Sequence, residues 1–188
     1  MQPHVRISEA EYVARERAAE QKHELVNGEV HAMAGGSPRH NLIASNLLGE
    51  LRSKLKGSCL VFGSDQRVHV ASTSMYTYPD VTVVCGRPEF HPRFEDTLVN
   101  PTLLVEVLSD STEAYDRGGK FAHYRGVTSL REYVLVAPLE RRVELFRRNE
   151  AGRWELTEWT NAEHAELGGV RVGLDEVYAG VELLDREA

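Results

Sequence analysis

Two acidic residues lie close to the ends of two apolar segments, where they could bind one metal ion together. Asp80 stands near the start of YPDVTVV (78–84), and Glu106 stands near the end of PTLLVEVLS (101–109). Short segments rich in Val and Leu are typical of β-strands. If the two strands pair in antiparallel fashion, both carboxylates lie at the same end of the sheet, within reach of one ion.

Such a pair of carboxylates would perform hydrolytic chemistry on phosphates. Mg²⁺ relieves the repulsion between two carboxylates and keeps positions for a phosphate oxygen and an attacking water. Each acid also has an ordinary explanation. Glu106 lies in the most apolar segment, where a structural ion pair or an edge strand facing water would accommodate its charge. Asp80 follows Pro79, and Pro-Asp before a strand is common turn chemistry.

Four segments around these strands predict helices. Ser8 caps an acidic segment that is free of Gly and Pro to about Glu20, and this pattern predicts a first helix. Ser37 and Pro38 begin an amphipathic segment that runs to Gly57, which predicts the second and longest helix. The segments GGKFAHYRG and LDEVYAG indicate two further short helices.

A hairpin and several short strands complete the prediction. Asn27-Gly28 joins two alternating runs, which predicts a two-residue turn with Glu24 opposite His31. Further strands are predicted in CLVFG, QRVHVA, DVTVVC, TLLVEVLS, REYVLVA, RRVELFRR and RWELTEWT. The 188 residues suit one domain over 1–188, and we predict a mixed α/β (α+β) fold with a central mixed sheet flanked by helices.

The candidate acids belong to a wider set of residues that resembles a known family. VEVLSDSTEAYDRGGKFAHYRGV, HELVNGEV, SPRHN and REYVLV together resemble the Uma-two family of restriction-endonuclease-like proteins, which is part of the PD-(D/E)xK nuclease superfamily. The similarity spans about residues 8–147. The residues that carry it are Glu24, Gly28, His40, Pro79, Asp80, Glu106, Ser109, Ser111, Lys120 and Tyr124.

The resemblance implies a restriction-endonuclease-like core and a role for each motif residue. Asp80 and Glu106 would be the metal ligands, with the main-chain carbonyl of Val107 as a further ligand. The superfamily places a lysine two residues after the second acid, but Leu108 stands there. The resemblance therefore moves the role of orienting or activating the hydrolytic water to Lys120.

Four further residues are candidates for the same site. The resemblance places Glu24 among the catalytic residues, whereas the hairpin register also allows a solvated cross-strand ion pair. His40 lies near the start of the second helix, where the helix dipole could help it contact a phosphate, although such a histidine can also simply cap or pack. Ser109 and Tyr124 are predicted to contact substrate.

Charge and composition limit the class of protein. The net charge of −7 argues against a wholly basic surface that coats nucleic acid. Residues 39–131 nevertheless hold 11 Lys plus Arg and 10 Asp plus Glu, so that stretch carries +1 and the flanks carry −8. Cys59 and Cys85, the only cysteines, lie in apolar surroundings, which predicts buried free thiols rather than a disulfide or a metal pair.

Other signals exclude several functions. The sequence contains neither an apolar run of membrane-spanning length nor a signal peptide at MQPHVRISEAEY, and we expect a cytoplasmic protein. Gly118-Gly119-Lys120 does not fit a phosphate-binding loop, so no nucleotide cofactor is expected. The sequence also offers no HxH, HExxH, CxxC or GxSxG spacing, which argues against zinc chemistry and serine hydrolysis.

The leading hypothesis is a Mg²⁺- or Mn²⁺-dependent endonuclease that acts on DNA, and the family resemblance adds a homodimer as the expected assembly. A catalytically inactive binding or regulatory protein with the same fold is the alternative. A third possibility is another metal-dependent hydrolase or a structural protein whose acids are simply paired. The distance between Asp80 and Glu106 separates this third possibility from the first two.

Overall fold

The computed structural model describes residues 6–184. The first five residues, on which part of the signal-peptide argument rests, lie outside this range. Within residues 6–184, no helix combines the length and the apolar character needed to cross a membrane. The mixed α/β class is confirmed, but the strands divide between two six-stranded sheets and one two-stranded hairpin instead of forming a single central sheet.

Two of the helices begin where their capping residues predict. The Ser8 side chain accepts a hydrogen bond from the Glu11 amide, and the Ser37 side chain accepts one from the His40 amide. These bonds satisfy amide groups that have no partner inside the helix. The helices are α1 Glu9–Ala18, α2 Pro38–Lys54, α3 Glu113–Tyr115, α4 Phe121–Tyr124 and α5 Leu174–Val177, with a π-helical turn at Asp116–Lys120 and a 3₁₀ turn at Val181–Leu184.

The fourteen strands of the described chain are short and alternate with turns. Their bounds are β1 His23–Val26, β2 Glu29–Ala32, β3 Cys59–Gly63, β4 Arg67–Val70, β5 Met75–Thr77, β6 Val81–Cys85, β7 Phe90–His91, β8 Phe94–Leu98, β9 Leu103–Val107, β10 Glu132–Val136, β11 Arg142–Arg148, β12 Trp154–Thr160, β13 His164–Leu167 and β14 Val170–Gly173.

The first sheet has the strand order β2-β1-β5-β4-β8-β7. The predicted hairpin joins β1 to β2: Asn27 and Gly28 both have positive φ angles, of 52° and 83°, as a two-residue turn of this kind requires. Glu24 lies opposite His31, which confirms the predicted register. Pairing of β1 with β5 then sets Leu25 opposite Tyr76.

The second sheet has the strand order β12-β11-β10-β9-β6-β3. Strands β6 and β9 pair in antiparallel fashion with Val81 opposite Val105, as predicted, and β9 pairs in parallel with β10. Strand β9 is buried along its whole length. Its side chains alternate: Val105 joins the core formed with α2, whereas Leu104 joins the core shared with β4, β5 and α4. Glu106 projects on the same face as Leu104, because side chains two residues apart share one face of a strand.

The expectation of free thiols is wrong, because Cys59 and Cys85 form a disulfide. Antiparallel pairing of β3 with β6 sets these two residues directly opposite each other, with their Cα atoms 4.0 Å apart. Cys85 is exposed and Cys59 is partly buried. The physical reason is the strand register, which brings together two cysteines that are 26 positions apart in the chain.

Candidate active site

A cleft of about 1610 Å³ gathers most of the candidate residues. Its walls include residues from both large sheets, from the first turn of α2 and from the π-helical turn. The predicted site residues among them are Glu24, His40, Asp80, Glu106, Val107, Ser109 and Lys120. These seven residues, up to 96 positions apart in the chain, thus face one cavity.

Asp80 is held by the backbone of the neighbouring strand. It stands just before β6, and the pairing of Val81 with Val105 brings it to the same end of the sheet as Glu106. Its Oδ2 accepts a hydrogen bond of 2.8 Å from the amide of Val107. The imidazole Nε2 of His40 lies 3.2 Å from the same oxygen. The predicted juxtaposition of the two acids is therefore present, with Asp80 fixed by two donors.

Glu106 is a buried carboxylate, with 5% of the residue exposed. Its Oε1 accepts a hydrogen bond of 2.8 Å from the Tyr124 hydroxyl and lies 3.0 Å from the Lys120 Nζ. Burial raises the pKa of Glu106 to about 8; the Lys120 ammonium opposes this shift, and the Asp80 carboxylate adds to it. A metal cation bound near both acids would favour their ionised forms and lower the pKa of Glu106.

Lys120 lies at the end of the π-helical turn and faces three carboxylates. Besides Glu106, its Nζ lies 3.1 Å from Glu24 Oε1 and 3.7 Å from Asp116 Oδ1. Burial alone would lower the pKa of Lys120, but these carboxylates raise it well above its usual value. The lysine is therefore a cation at neutral pH, and it acts by orienting groups and stabilising negative charge, not by taking a proton.

Glu24 reaches this cluster from the first sheet. The carboxylate is buried, whereas His31 on the opposite strand is exposed. Its Oε1 contacts the Lys120 ammonium and accepts a short hydrogen bond from the Thr77 hydroxyl. Glu24 thus faces the cleft cluster, which favours the site over the solvated cross-strand pair.

His40 is placed by the first turn of α2. The Asp80 carboxylate raises the pKa of the imidazole, burial opposes the shift, and the Val107 carbonyl adds to it. Gly36 makes this position possible, because a Cβ there would lie 2.5 Å from His40 Nδ1. The histidine therefore contacts an oxygen of Asp80 and lies beside the carbonyl of Val107, two of the three groups expected to bind metal.

Tyr124 and Ser109, which were predicted to contact substrate, lie in different surroundings. Tyr124 is fully buried and binds Glu106, so it supports the acid instead of facing substrate. Ser109 lines the cleft, but its hydroxyl lies 3.2 Å from that of Ser111 and 2.9 Å from that of Thr112. It therefore belongs to the turn that begins α3.

Sequence reasoning missed two members of the cluster, Asp116 and Thr77. Asp116 precedes Lys120 by four residues, as Lys120 precedes Tyr124, and this helical spacing was a usable signal. The short helix was predicted to begin at Gly118, which left Asp116 outside it. Thr77 belongs to the three-residue strand β5, which the sequence pattern does not reveal.

The donor set fits a hard divalent cation. Asp80, Glu106 and the Val107 carbonyl offer oxygen atoms, which Mg²⁺ and Mn²⁺ prefer. Among residues 6–184, no group of three or more His, Cys, Asp or Glu side chains is arranged to hold an ion. Mg²⁺ commonly takes one or two carboxylates and completes its shell with water and substrate oxygens. Burial is the main cause of the raised pKa of Glu106, and repulsion from Asp80 adds to it; a cation bound between the two acids would oppose both effects.

Three comparisons with known proteins complete the description. A family model, Uma2, described as "Putative restriction endonuclease", matches residues 9–176. Two Synechocystis proteins are similar: "Uncharacterized protein slr1290", 36% identical over 183 residues and 95% of both chains, and "Uncharacterized protein sll1609", 36% identical over 162 residues, covering 86% of this chain and 91% of the relative.

A solved structure shares the fold. It is the crystal structure of "a putative nuclease belonging to DUF820" from Anabaena variabilis, with a TM-score of 0.69 and 16% sequence identity. The match covers 87% of this chain and 93% of that one. At this level of identity the likeness concerns the arrangement of strands and helices.

Proposed function

Because the chain belongs to the Uma2 family, whose model matches residues 9–176, we propose that it is a metal-dependent endonuclease that hydrolyses phosphodiester bonds of DNA. The observation that carries the proposal is the pair Asp80 and Glu106 at one end of the second sheet, with the Lys120 ammonium 3.0 Å from Glu106. Two acids and one lysine around a cleft are the parts that phosphodiester hydrolysis needs.

The protein's own groups have distinct roles in this proposal. Asp80, Glu106 and the Val107 carbonyl would hold Mg²⁺ or Mn²⁺, and the bound ion would supply Lewis acidity for activating water and offsetting charge on the phosphate. Lys120 keeps its proton, orients the attacking water and stabilises the charge that develops on the phosphate. Tyr124 fixes the Glu106 carboxylate, and Glu24 anchors the lysine from the first sheet.

The cleft also contains groups suited to a phosphate backbone. Lys22, Arg39 and His40 line it, and the first turn of α2 opens into it. Cationic side chains supply most of the affinity for nucleic acid, and a helix N-terminus favours negative charge. Acidic side chains line the cleft as well, so a bound metal ion would add positive charge that a DNA substrate needs there.

A cleavage assay with matched variants tests the proposal. Purified protein is incubated with supercoiled plasmid in Mg²⁺ or Mn²⁺, with and without chelator. We expect nicking or cutting that chelator abolishes and that Asp80→Asn and Glu106→Gln each reduce by roughly 10²-fold or more. Both substitutions preserve side-chain shape, and circular dichroism verifies the fold. Cleavage at the wild-type rate by both variants would end the proposal.

One observation favours a second function, a binding or regulatory protein without catalysis. The Lys120 Nζ already lies 3.1 Å from Glu24 and 3.0 Å from Glu106, with Asp116 3.7 Å away. An ammonium group has three donors, so these carboxylates compete with a substrate for the lysine. Calorimetric titration with Mn²⁺ separates the two functions. Saturable binding that Asp80→Asn removes supports the enzyme, and its absence supports the binding protein.

We extend the enzyme proposal to a homodimer, because two copies of the site could each cut one strand of DNA. The edge strand β12 supports this assembly, since its seven residues end the second sheet and Leu156 on it is 56% exposed. Light scattering coupled to size exclusion measures the mass. A monomer at micromolar concentration would contradict this extension and leave the cleavage proposal in place.

A further inference from the structure

Three buried residues share one face of the helical segment that follows β9. Asp116, Lys120 and Tyr124 are spaced by four, and they are 3%, 5% and 0% exposed. The first two bound the π-helical turn. Turns of this kind are rare and often occur at functional sites. Lys120 and Tyr124 both contact Glu106, and Asp116 is the member of this face that the proposed mechanism does not use.

Asp116 is tightly fixed in the fold. Its amide donates to the Thr112 carbonyl at 2.8 Å, and its own carbonyl accepts a hydrogen bond of 3.0 Å from the Tyr133 hydroxyl. The adjacent cation, Arg117, turns away to Glu113 and Glu144. The cation that the Asp116 carboxylate faces is Lys120, with 3.7 Å between Oδ1 and Nζ.

Stability alone does not explain this carboxylate. The carboxyl groups of Glu24, Glu106 and Asp116 surround the single positive charge of Lys120, and burial raises the pKa of both Glu106 and Asp116. Burial of acidic groups is costly even when they are paired, and the lysine needs only one ionised partner. A third buried acid at this place therefore adds repulsion, and a positional role for it is the physical reason to keep it.

We propose that Asp116 is the positioning residue for Lys120: its carboxylate, 3.7 Å from Nζ, attracts the ammonium of the flexible lysine and keeps it between Glu24 and Glu106. A lysine side chain has four rotatable methylene links and a mobile head. With the contact to Asp116 in place, the ammonium stays beside Glu106 when one of its other donors turns to substrate. The consequence for cleavage rests on the proposed function, whereas the contact itself does not.

The first experiment observes the lysine directly. In ¹⁵N-labelled protein, the Lys120 ammonium signal is assigned by its loss in Lys120→Met. We expect a sharp, slowly exchanging signal in the wild type that Asp116→Asn broadens beyond detection. The matched control is Glu113→Gln, which removes a carboxylate of the same segment that pairs with Arg117, and it should keep the signal. A wild-type signal in Asp116→Asn would overturn the proposal.

Cleavage kinetics supply the second readout. We expect Asp116→Asn to lower kcat roughly 10- to 100-fold, the usual effect of losing a group that orients a reactive one, with KM within about twofold of wild type. An unchanged kcat would contradict the positioning role. If the wild type does not cleave DNA while Asp116→Asn still abolishes the ammonium signal, the positioning contact stands and the nuclease function fails.

A double-mutant cycle covers the case in which Asp116→Asn does not fold. Asp116→Asn is combined with Lys120→Met, and chemical denaturation compares the double variant with Lys120→Met alone. If Asp116 acts through the lysine, the second substitution causes no further loss of stability in that background. A clear further loss of stability in the Lys120→Met background would show a purely structural role and overturn the proposal.

Discussion

Glu106 and Lys120 form a buried ion pair, in which Nζ lies 3.0 Å from Oε1 while the two side chains are only 6% and 7% exposed. In this pair the acid has a raised pKa and the base keeps its proton. The pair couples stability to activity, because the group that compensates the acid in the fold is also the group proposed to stabilise charge on the substrate.

Lys120→Met should abolish metal-dependent cleavage and lower the free energy of unfolding. Removing one partner of a buried pair costs about 3–5 kcal/mol, and protonation of Glu106 will place the loss near the lower value. Urea denaturation measures it. The control is Lys54→Met, which removes a lysine paired with Glu50 on α2 and should cost about 0.5 kcal/mol or less. Equal losses in the two variants would contradict the assignment.

Glu106→Gln should change the pH dependence of stability. The folded pKa is about 8, and the unfolded value is about 4.3. Between these values the folded state holds a proton that the unfolded state has released, so the wild type loses stability as pH rises toward 8. The glutamine variant lacks this loss. The unfolding free energy of the variant minus that of the wild type should therefore increase as pH rises, by at most about 1.4 kcal/mol per pH unit.

Urea titrations of both proteins at pH 5, 6, 7 and 8 measure this difference. Subtracting the two curves removes the contributions of other groups that titrate in this range, such as His69, whose pKa burial lowers. A difference that stays constant from pH 5 to pH 8 would show that Glu106 is ionised throughout that range.

Metal affinity should rise with pH for the same reason. A cation binds the ionised form of Glu106, so binding below pH 8 releases a proton. The apparent Kd for Mg²⁺ should fall by up to about tenfold per pH unit between pH 6 and pH 8, and calorimetry in buffers of different ionisation enthalpy counts the proton released. Binding that is independent of pH, or that survives in Glu106→Gln, would show that the ion lies elsewhere.

Reduction of the Cys59–Cys85 disulfide should lower stability without affecting the cleft. The bond closes a loop of 26 positions, for which chain entropy gives about 3.5 kcal/mol. Denaturation with and without a phosphine reductant measures the loss, and the double variant Cys59→Ser with Cys85→Ser should not respond to the reductant. Cys85 ends the strand that Asp80 precedes, so cleavage at low temperature should persist. Loss of cleavage on reduction would contradict this separation.

The part of the site that could be predicted depends on strong local patterns. The Val-rich composition of β6 and β9 predicts strands. One further assumption, antiparallel pairing of the two, was enough to place Asp80 at the same sheet end as Glu106. Asn27-Gly28 fixed the register of Glu24 with equal certainty, because few other residues adopt two successive positive φ angles. These predictions succeeded because backbone geometry allowed only a few alternatives.

The rest depends on contacts that no local pattern encodes. Strand β5 is three residues long and β7 only two, too short for alternation to be visible. Tertiary packing decides how the strands divide between two sheets. It also decides the pairing of β3 with β6, which brings Cys59 and Cys85 together as a disulfide. The helical segment begins at Glu113 and continues through a π-helical turn at Asp116–Lys120. The predicted helix began only at Gly118, so Asp116 was left out of it.

The scatter of the site along the chain has a consequence during synthesis. Glu24 enters from the first sheet, Asp80 and Glu106 from the second, and Lys120 from the turn between β9 and β10. Strand β9 lies between β6 and β10, so it is flanked on both sides only after Val136 has left the ribosome. The residues of the proposed site therefore come together only after the chain has been synthesised past Val136, and a shorter nascent chain would lack the assembled site.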